Sequence, residues 1–232
     1  VDALNAWAAS FWQQFQSNLI VGDRYRMLLD GLGVTVQIAL VAAVLGVILG
    51  SLIALMRLSK VGVVRGAAQV YVDVIRGTPV MVQLLIMYYI VLATYTGSKV
   101  AVAILSFGLN SAAYVSEMVR GGILSVDKGQ TEAGRSLGLS GPSTMLLIVM
   151  PQAIKNILPS LFNEFIMLLK ETSIVGYIAL MDLTKAGDFI RSRTLSAFFP
   201  LLTVAAIYLV MVLGLSKVFG RIERRMRQGD HR

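Results

Sequence analysis

Long apolar segments recur along this chain with only short polar stretches between them, and that pattern restricts the fold more than any other feature. The hydrocarbon core of a bilayer is about 30 Å thick, which an α-helix crosses in about 20 residues. Residues 28–56 make the first run of that length, and further runs follow at 69–95, 100–124, 157–180 (expected to open at Pro159) and 197–218. Composition agrees: 56% of residues are hydrophobic and 15% charged, with a mean hydropathy of +0.73. An ordinary soluble domain is not this apolar. The expectation is an all-α fold, a polytopic membrane helical bundle of about five transmembrane helices.

The formal charge of +8 raises the question of nucleic acid, but the basic residues cluster beside spans and at the C-terminus. Arg57, Lys60 and Arg65 follow the first run, and Arg221, Arg224, Arg225 and Arg227 follow the last. A charge placed this way belongs to a membrane surface, so the bilayer and not nucleic acid is the expected partner. Cysteine is absent and the one histidine, His231, sits in the tail. Disulfides, thiolate nucleophiles and histidine-based metal sites are thereby excluded, while carboxylate or backbone ion sites remain open.

In the first stretch Leu4, Trp7, Ala8, Phe11, Phe15 and Leu19 recur at helical spacing, with Gln13, Gln14 and Gln16 between them. Two readings fit: an amphipathic helix in the membrane interface with Trp7 and Trp12 at headgroup depth, or an arm packed on the bundle. The stretch has neither the basic start nor the small-residue cleavage pattern of a secretory signal peptide. Gly46 and Gly50 form a G-x-x-x-G pair that permits close helix approach. Five spans put the N-terminus outside and the C-terminus in the cytoplasm, and the basic connection after residue 56 and the arginine tail agree with that. Lys185, Arg191 and Arg193 fall outside, accompanied by Asp182 and Asp188, in a polar segment expected to be an outer helix over 182–193. Three segments result: an N-terminal amphipathic piece at 1–26, a membrane domain at 27–220, and a basic tail at 221–232.

One polar block interrupts the apolar pattern, at residues 129–151. A short helix over Glu132, Ala133 and Gly134 reaches Gly138, and the chain then turns at Ser140, Gly141 and Pro142. The apolar run 145–150, stopped by Pro151, rises only ~10 Å as a helix and cannot span. The block is therefore expected to lie against one membrane face. Here the chain resembles the membrane-spanning subunits of binding-protein-dependent ABC importers. Their hallmark loop reads E-A-A, three residues, G, nine residues, I-x-L-P. The chain has Glu132-Ala133-Gly134, then Gly138, then Ile148-Val149-Met150-Pro151, departing from the pattern at Gly134 and Met150.

A further resemblance narrows the family to polar amino acid uptake. Arg76-Gly77-Thr78-Pro79 with Gln83-Leu84 looks like the R-G-T-P-x3-Q-L stretch of those permeases, and the segment from Ser111 through Gly129-Gln130 continues the match. Lys170-Glu171-Thr172-Ser173-Ile174 is similar to their K-[DN]-T-S-[LV] segment. The resemblance covers most of the chain. It implies a type I importer permease fold in the bacterial plasma membrane, with the loop as a cytoplasmic coupling helix carried by Glu132, Ala133, Gly134 and Gly138. The implied partners are two cytoplasmic ATP-binding subunits, which carry the ATP and Mg while this chain binds no cofactor. A second permease chain, identical or related, and an extracytoplasmic amino-acid-binding protein complete the set.

Physical chemistry gives independent reasons to single out particular residues. Pro79 lacks an N–H and disfavours helix at Thr78, so the second span is interrupted there. Thr78 either lines the pathway beside a hinge, or its hydroxyl and neighbouring helices satisfy the carbonyls that a proline kink frees. Glu117 and Arg120 are three residues apart on one helical face and are expected to pair. Asn163, Glu164, Lys170 and Glu171 all fall within one apolar segment. Each charge near the bilayer centre costs about 3 kcal/mol on insertion scales, so these residues should face partners or an aqueous cavity. Thr172 and Ser173 add hydroxyls at the same level. Such a stripe could receive the ammonium and carboxylate of a zwitterion, or join two permease halves.

The chain has no G-x-x-x-x-G-K-[ST] phosphate loop, so transport energy must come from a partner and the chain is not itself an enzyme. A secondary amino acid or ion transporter is the alternative, but it has no need of a docking loop. A membrane enzyme built on Ser173 and Lys170 lacks an evident nucleophile turn.

Overall fold

The computed structural model describes residues 2–228, and every regular element in that range is helical. His231 and the end of the basic tail lie outside the described residues, as do the side chains of Leu4, Ala8 and Arg227. Helix α1 (Asp2–Phe15) is separated from α2 (Arg24–Arg57) by a turn in which Gly22 and Asp23 have φ of 69° and 54°. Helices α3 (Gly62–Arg76) and α4 (Val80–Ile86) follow, the latter extended by a wide turn, Met87–Val91. Next come α5 (Lys99–Leu124), α6 (Lys128–Ser136) and α7 (Gly141–Thr144). α7 runs through the wide turn Met145–Val149 into α8 (Met150–Glu171), and α9 (Leu183–Thr194) and α10 (Phe198–Gln228) close the chain. Among the described residues four helices are long and apolar enough to cross a membrane, or five if α3 and the segment 80–91 form one bent span.

α5 is the central helix. Of its most apolar window 67% is buried, against 17% for both the helix Gly141–Ile178 and α10. A helix surrounded by protein does not need a lipid-compatible surface, which is why α5 can carry Ser106, Asn110, Ser111 and Ser116 in its interior. Its main partner is α2. The Gly46 and Gly50 pair faces this seam: an added Cβ would lie 2.8 Å from Ser111 Oγ and 2.7 Å from Val115 Cβ respectively. Small residues let the two backbones approach, and dispersion contacts then hold them where lipid supplies no hydrophobic drive.

Three apolar clusters organise the remaining packing. Ile38, Phe107, Leu168 and Ile178 centre one, and Val119, Ile123, Val149 and Ile157 form a second where α5 and α8 lead to and from α6. The third gathers Leu19, Leu28, Leu183 and Val204 at the opposite end. There α9 starts at Asp182, whose two carboxylate oxygens accept from the backbone N–H groups of Lys185 and Thr184, each at 3.0 Å. Capping by a side-chain oxygen satisfies donors the helix leaves open.

The structure corrects four expectations. The second span starts at Gly62 and not at residue 69, and the interruption expected at Thr78 and Pro79 is a bend of 105° between Arg76 and Val80. The run 145–150 is not a separate surface piece stopped by Pro151, because the helix continues unbroken from Gly141 to Ile178. In the wide turn Met145–Val149 the N–H of Met150 reaches back to the carbonyl of Met145, one residue further than in an α-helix. That extra residue accommodates the following proline, which cannot donate. Pro159 does not open the fourth span but lies inside α8. The last helix also extends past residue 218, so Arg221, Arg224 and Arg225 sit on its exposed final turns. At the start of the chain, Phe11 and Phe15 meet Phe199 of α10 at ring separations of 4.9 and 6.2 Å, so α1 packs on the bundle. Trp7 and Trp12 remain exposed.

Candidate functional site

The polar block after α5 is built from local bonds. Asp127 starts α6, its Oδ1 accepting from the N–H of Gly129. At the other end Leu139 N–H bonds the Gly134 carbonyl and Gly138 N–H bonds the Arg135 carbonyl, both at 3.1 Å. This is the Schellman arrangement, which places one residue in the left-handed region. Gly138 fills it with φ of 86°, and a side chain there would be strained. Gly134 is buried, and an added Cβ would lie 2.7 Å from Ile148 Cδ1 and 2.8 Å from Thr144 Cγ2. The departure from the E-A-A pattern therefore brings α6 onto the turn that leads into α8. Glu132 and Ala133 remain exposed, and Leu137 beside the turn is 82% exposed.

The break between α3 and α4 is polar, and its side chains bond across it. Pro79 has no N–H to give the carbonyl of Ile75, four residues back, as an α-helix requires. The Nε2 of Gln83 occupies that role at 2.7 Å, and also donates to Thr78 Oγ1 at 2.7 Å. Thr78 Oγ1 in turn donates to the Val74 carbonyl at 2.9 Å. From α5, Asn110 Nδ2 donates to Gln83 Oε1 at 2.9 Å. The motif R-G-T-P-x3-Q is thus a chain break with its own repair, and Gln83 is the residue that sequence reasoning quoted but did not place in the site. Its spacing of eight from Ile75 was the available signal.

The α8 stripe divides into an inward and an outward set. Glu164 is buried and accepts from Ser111 Oγ of α5 at 2.8 Å. Thr172 is also buried, its hydroxyl donating to the Leu169 carbonyl at 2.8 Å. Asn163 and Lys170 are exposed and Glu171 is half-buried. Asn163 borders a small groove with Phe162 and Phe219, whose rings stack at 4.3 Å. Lys170 and Ser173 come together around a cavity of about 310 Å³ with Thr184, Leu201 and Tyr208. Thr78 is bonded within the break and not to this group.

Outside the spans, burial pushes the Asp182 carboxyl up from its ordinary value, against the pull of the Lys185 and Thr184 N–H groups. Asp188 is drawn down by its hydrogen bonds to Arg191 and Lys185. The expected pair of Glu117 with Arg120 is present at 3.2 Å.

The fold is a bundle of bent and straight apolar helices, long enough to cross a membrane, with a capped polar helix at one end. Residues 42–228 match the family described as binding-protein-dependent transport system inner membrane component, and the chain belongs to that family. A putative glutamine transport system permease protein of Rickettsia typhi is 38% identical over 201 residues, covering 86% of this chain and 92% of that protein. The arginine transport system permease protein of Bacillus subtilis is 38% identical over 205 residues, covering 88% and 94%. A crystal structure of an amino acid ABC transporter with histidines superposes with a TM-score of 0.81 at 43% identity, covering 87% of this chain and 94% of that one.

Proposed function

We propose that this chain is the permease subunit of an ATP-driven importer that carries a polar amino acid delivered by a binding protein. The similarity to glutamine and arginine permeases supports the substrate class. The observation that carries the coupling role is α6: a capped helix with Gly134 turned into the bundle and Glu132, Ala133 and Leu137 turned out. An exposed apolar side chain beside a polar helix face suits a groove on another protein. In this reading two ATP-binding subunits dock on the α6 helices of two permease chains, hold the ATP and Mg, and supply the energy, while this chain binds no cofactor. The coupling side faces the cytoplasm, as does the C-terminus, and the N-terminus and α9 face outward toward the binding protein.

Within the chain, the break around Thr78, the α8 residues Asn163, Lys170 and Glu171, and Ser173 just beyond α8 supply the polar pathway. Glu164 and Thr172 support it from behind. Lys170 beside the hydroxyl of Ser173 offers a cation and a hydrogen bond to a carboxylate. The experiment is substrate-stimulated ATP hydrolysis in a reconstituted complex of this chain with its neighbouring ATPase and binding protein. Glu132→Lys should abolish stimulation while the chain still inserts. Unchanged stimulation would move the docking site away from α6.

A further inference from the structure

Glu117 faces three guanidinium groups. Its Oε1 lies 2.9 Å from Arg57 Nη2 and 3.2 Å from Arg76 Nη1, and its Oε2 lies 3.2 Å from Arg120 Nη2. Arg57 is the last residue of α2 and Arg76 the last of α3, at the edge of the 105° break. Arg57 also binds Gln69 Oε1 through both Nε and Nη2, and Gln69 Nε2 donates to Asp73 at 2.7 Å. Arg76 lies over the Tyr114 ring at 5.4 Å. One carboxylate therefore joins the ends of α2 and α3 to α5.

The two limbs of the break are both held by α5, at different heights. The α3 limb is held by Glu117 through Arg76, and the α4 limb by Asn110 through Gln83. Residues 110 and 117 stand about 10 Å apart along a helix, and α5 is the most enclosed span. Two anchors on a rigid rod fix the angle between the limbs attached to them. The same rod ends at Leu124 and passes through Asp127 directly into α6.

We propose that Glu117 is a positioning residue that sets the angle of the α3–α4 break from the end of α5 that bears α6. Movement of α5 or α6 then changes the opening of the break through Arg76. Arg57 makes the anchor expensive to lose, because its side chain is only 5% exposed and would be left a buried cation without its carboxylate. Arg120 is bonded to Glu117 within one helix and cannot transmit motion between helices. The coupling half of this inference rests on the importer reading above; the geometric half does not.

The test uses the full chain in bilayer nanodiscs, with spin labels on cysteines introduced at Val70 and Val82. Both positions are exposed and lie on either side of the break, and the chain has no native cysteine. A narrow distance distribution is expected for the parent and for Arg120→Gln. Glu117→Gln and Arg76→Gln should each widen it at least twofold. Should Glu117→Gln fail to insert, Arg76→Gln decides alone, since it leaves the Arg57 pair in place. A width unchanged by Arg76→Gln overturns the proposal. In the reconstituted complex, the ratio of stimulated to basal ATP hydrolysis should fall toward one in Arg76→Gln and be partly restored in Glu117→Asp relative to Glu117→Gln. A widened distribution with an unchanged ratio overturns the coupling half. A parent complex with no stimulation at all refutes the importer reading and leaves the distance result to judge Glu117.

Discussion

The α6 block and the α3–α4 break are both places where a helix is made to stop, and they are made in opposite ways. At α6 every stopping device is local: Asp127 caps the start, and the bonds at Gly134, Arg135 and Gly138 close the end within six residues. At the break the repair comes from eight residues away in Gln83, from α5 through Asn110, and from α5 again through Glu117. A locally closed helix keeps its shape while it is pushed. A break whose bonds reach another helix changes shape when that helix moves. In the reading proposed above, this contrast fits docking at α6 and opening at the break.

The largest effect that separates the two is expected at Gly138. Gly138→Val puts a branched side chain at positive φ, a genuine outlier that costs about 1–2 kcal/mol or more and unwinds the turn. Stimulated ATP hydrolysis should fall about tenfold or more, since ~1.4 kcal/mol is one decade. Gly138→Asn, which tolerates that region, should keep most of it. Equal loss in both variants would mean that the left-handed turn is not the reason for glycine.

Next in size is Gln83→Leu. It leaves the Ile75 carbonyl without its partner, at a cost of about 1–3 kcal/mol if the group stays dry. Uptake of labelled amino acid in proteoliposomes should drop about tenfold while the ATPase still binds, on the same decade scale. Asn110→Leu removes one neutral hydrogen bond worth about 1 kcal/mol and should do less. If Asn110→Leu proved the worse variant, the anchor on α5 and not the repair of the proline break would be the dominant bond.

The smallest effect should be at Gly134→Ala. The added methyl meets Ile148 Cδ1 and Thr144 Cγ2, the ends of side chains and not backbone. At 2.7 and 2.8 Å both must give way by more than half an ångström. Ile148 Cδ1 can do so by changing rotamer, and the branched Thr144, bonded to the Ser140 carbonyl, does so less easily. Hydrolysis should fall about threefold, an effect of ~0.65 kcal/mol. A large loss would show that α6 sits on α8 more rigidly than the contacts indicate.

The same contrast explains what the sequence could and could not disclose. The short helix through Glu132 and Ala133 and its end at Gly138 were legible because α6 is specified by neighbours in the chain. The apolar runs disclosed the spans for the same reason. The 105° bend was not legible: Pro79 announces a disturbance, but its angle is set by Arg76 meeting Glu117, residues 41 positions apart. The inward placement of Glu164 was equally hidden, since its partner Ser111 lies 53 positions away on another span. Pro151 misled because proline is read as a stop, whereas the wide turn before it absorbs the missing donor.

The central claim is that α6 meets an ATPase on the face opposite to α9, and one labelling measurement addresses it directly. Leu137 beside α6 and Leu195 after α9 are 82% and 93% exposed. Single cysteines at each, in a chain that has none of its own, can be probed with a membrane-impermeant maleimide in vesicles of known orientation. The account predicts that Leu137→Cys reacts only from the cytoplasmic side and is shielded when the ATPase is bound. Leu195→Cys should react only from the other side and be indifferent to the ATPase. Reaction of both from one side, or an unshielded Leu137→Cys in the assembled complex, would contradict it.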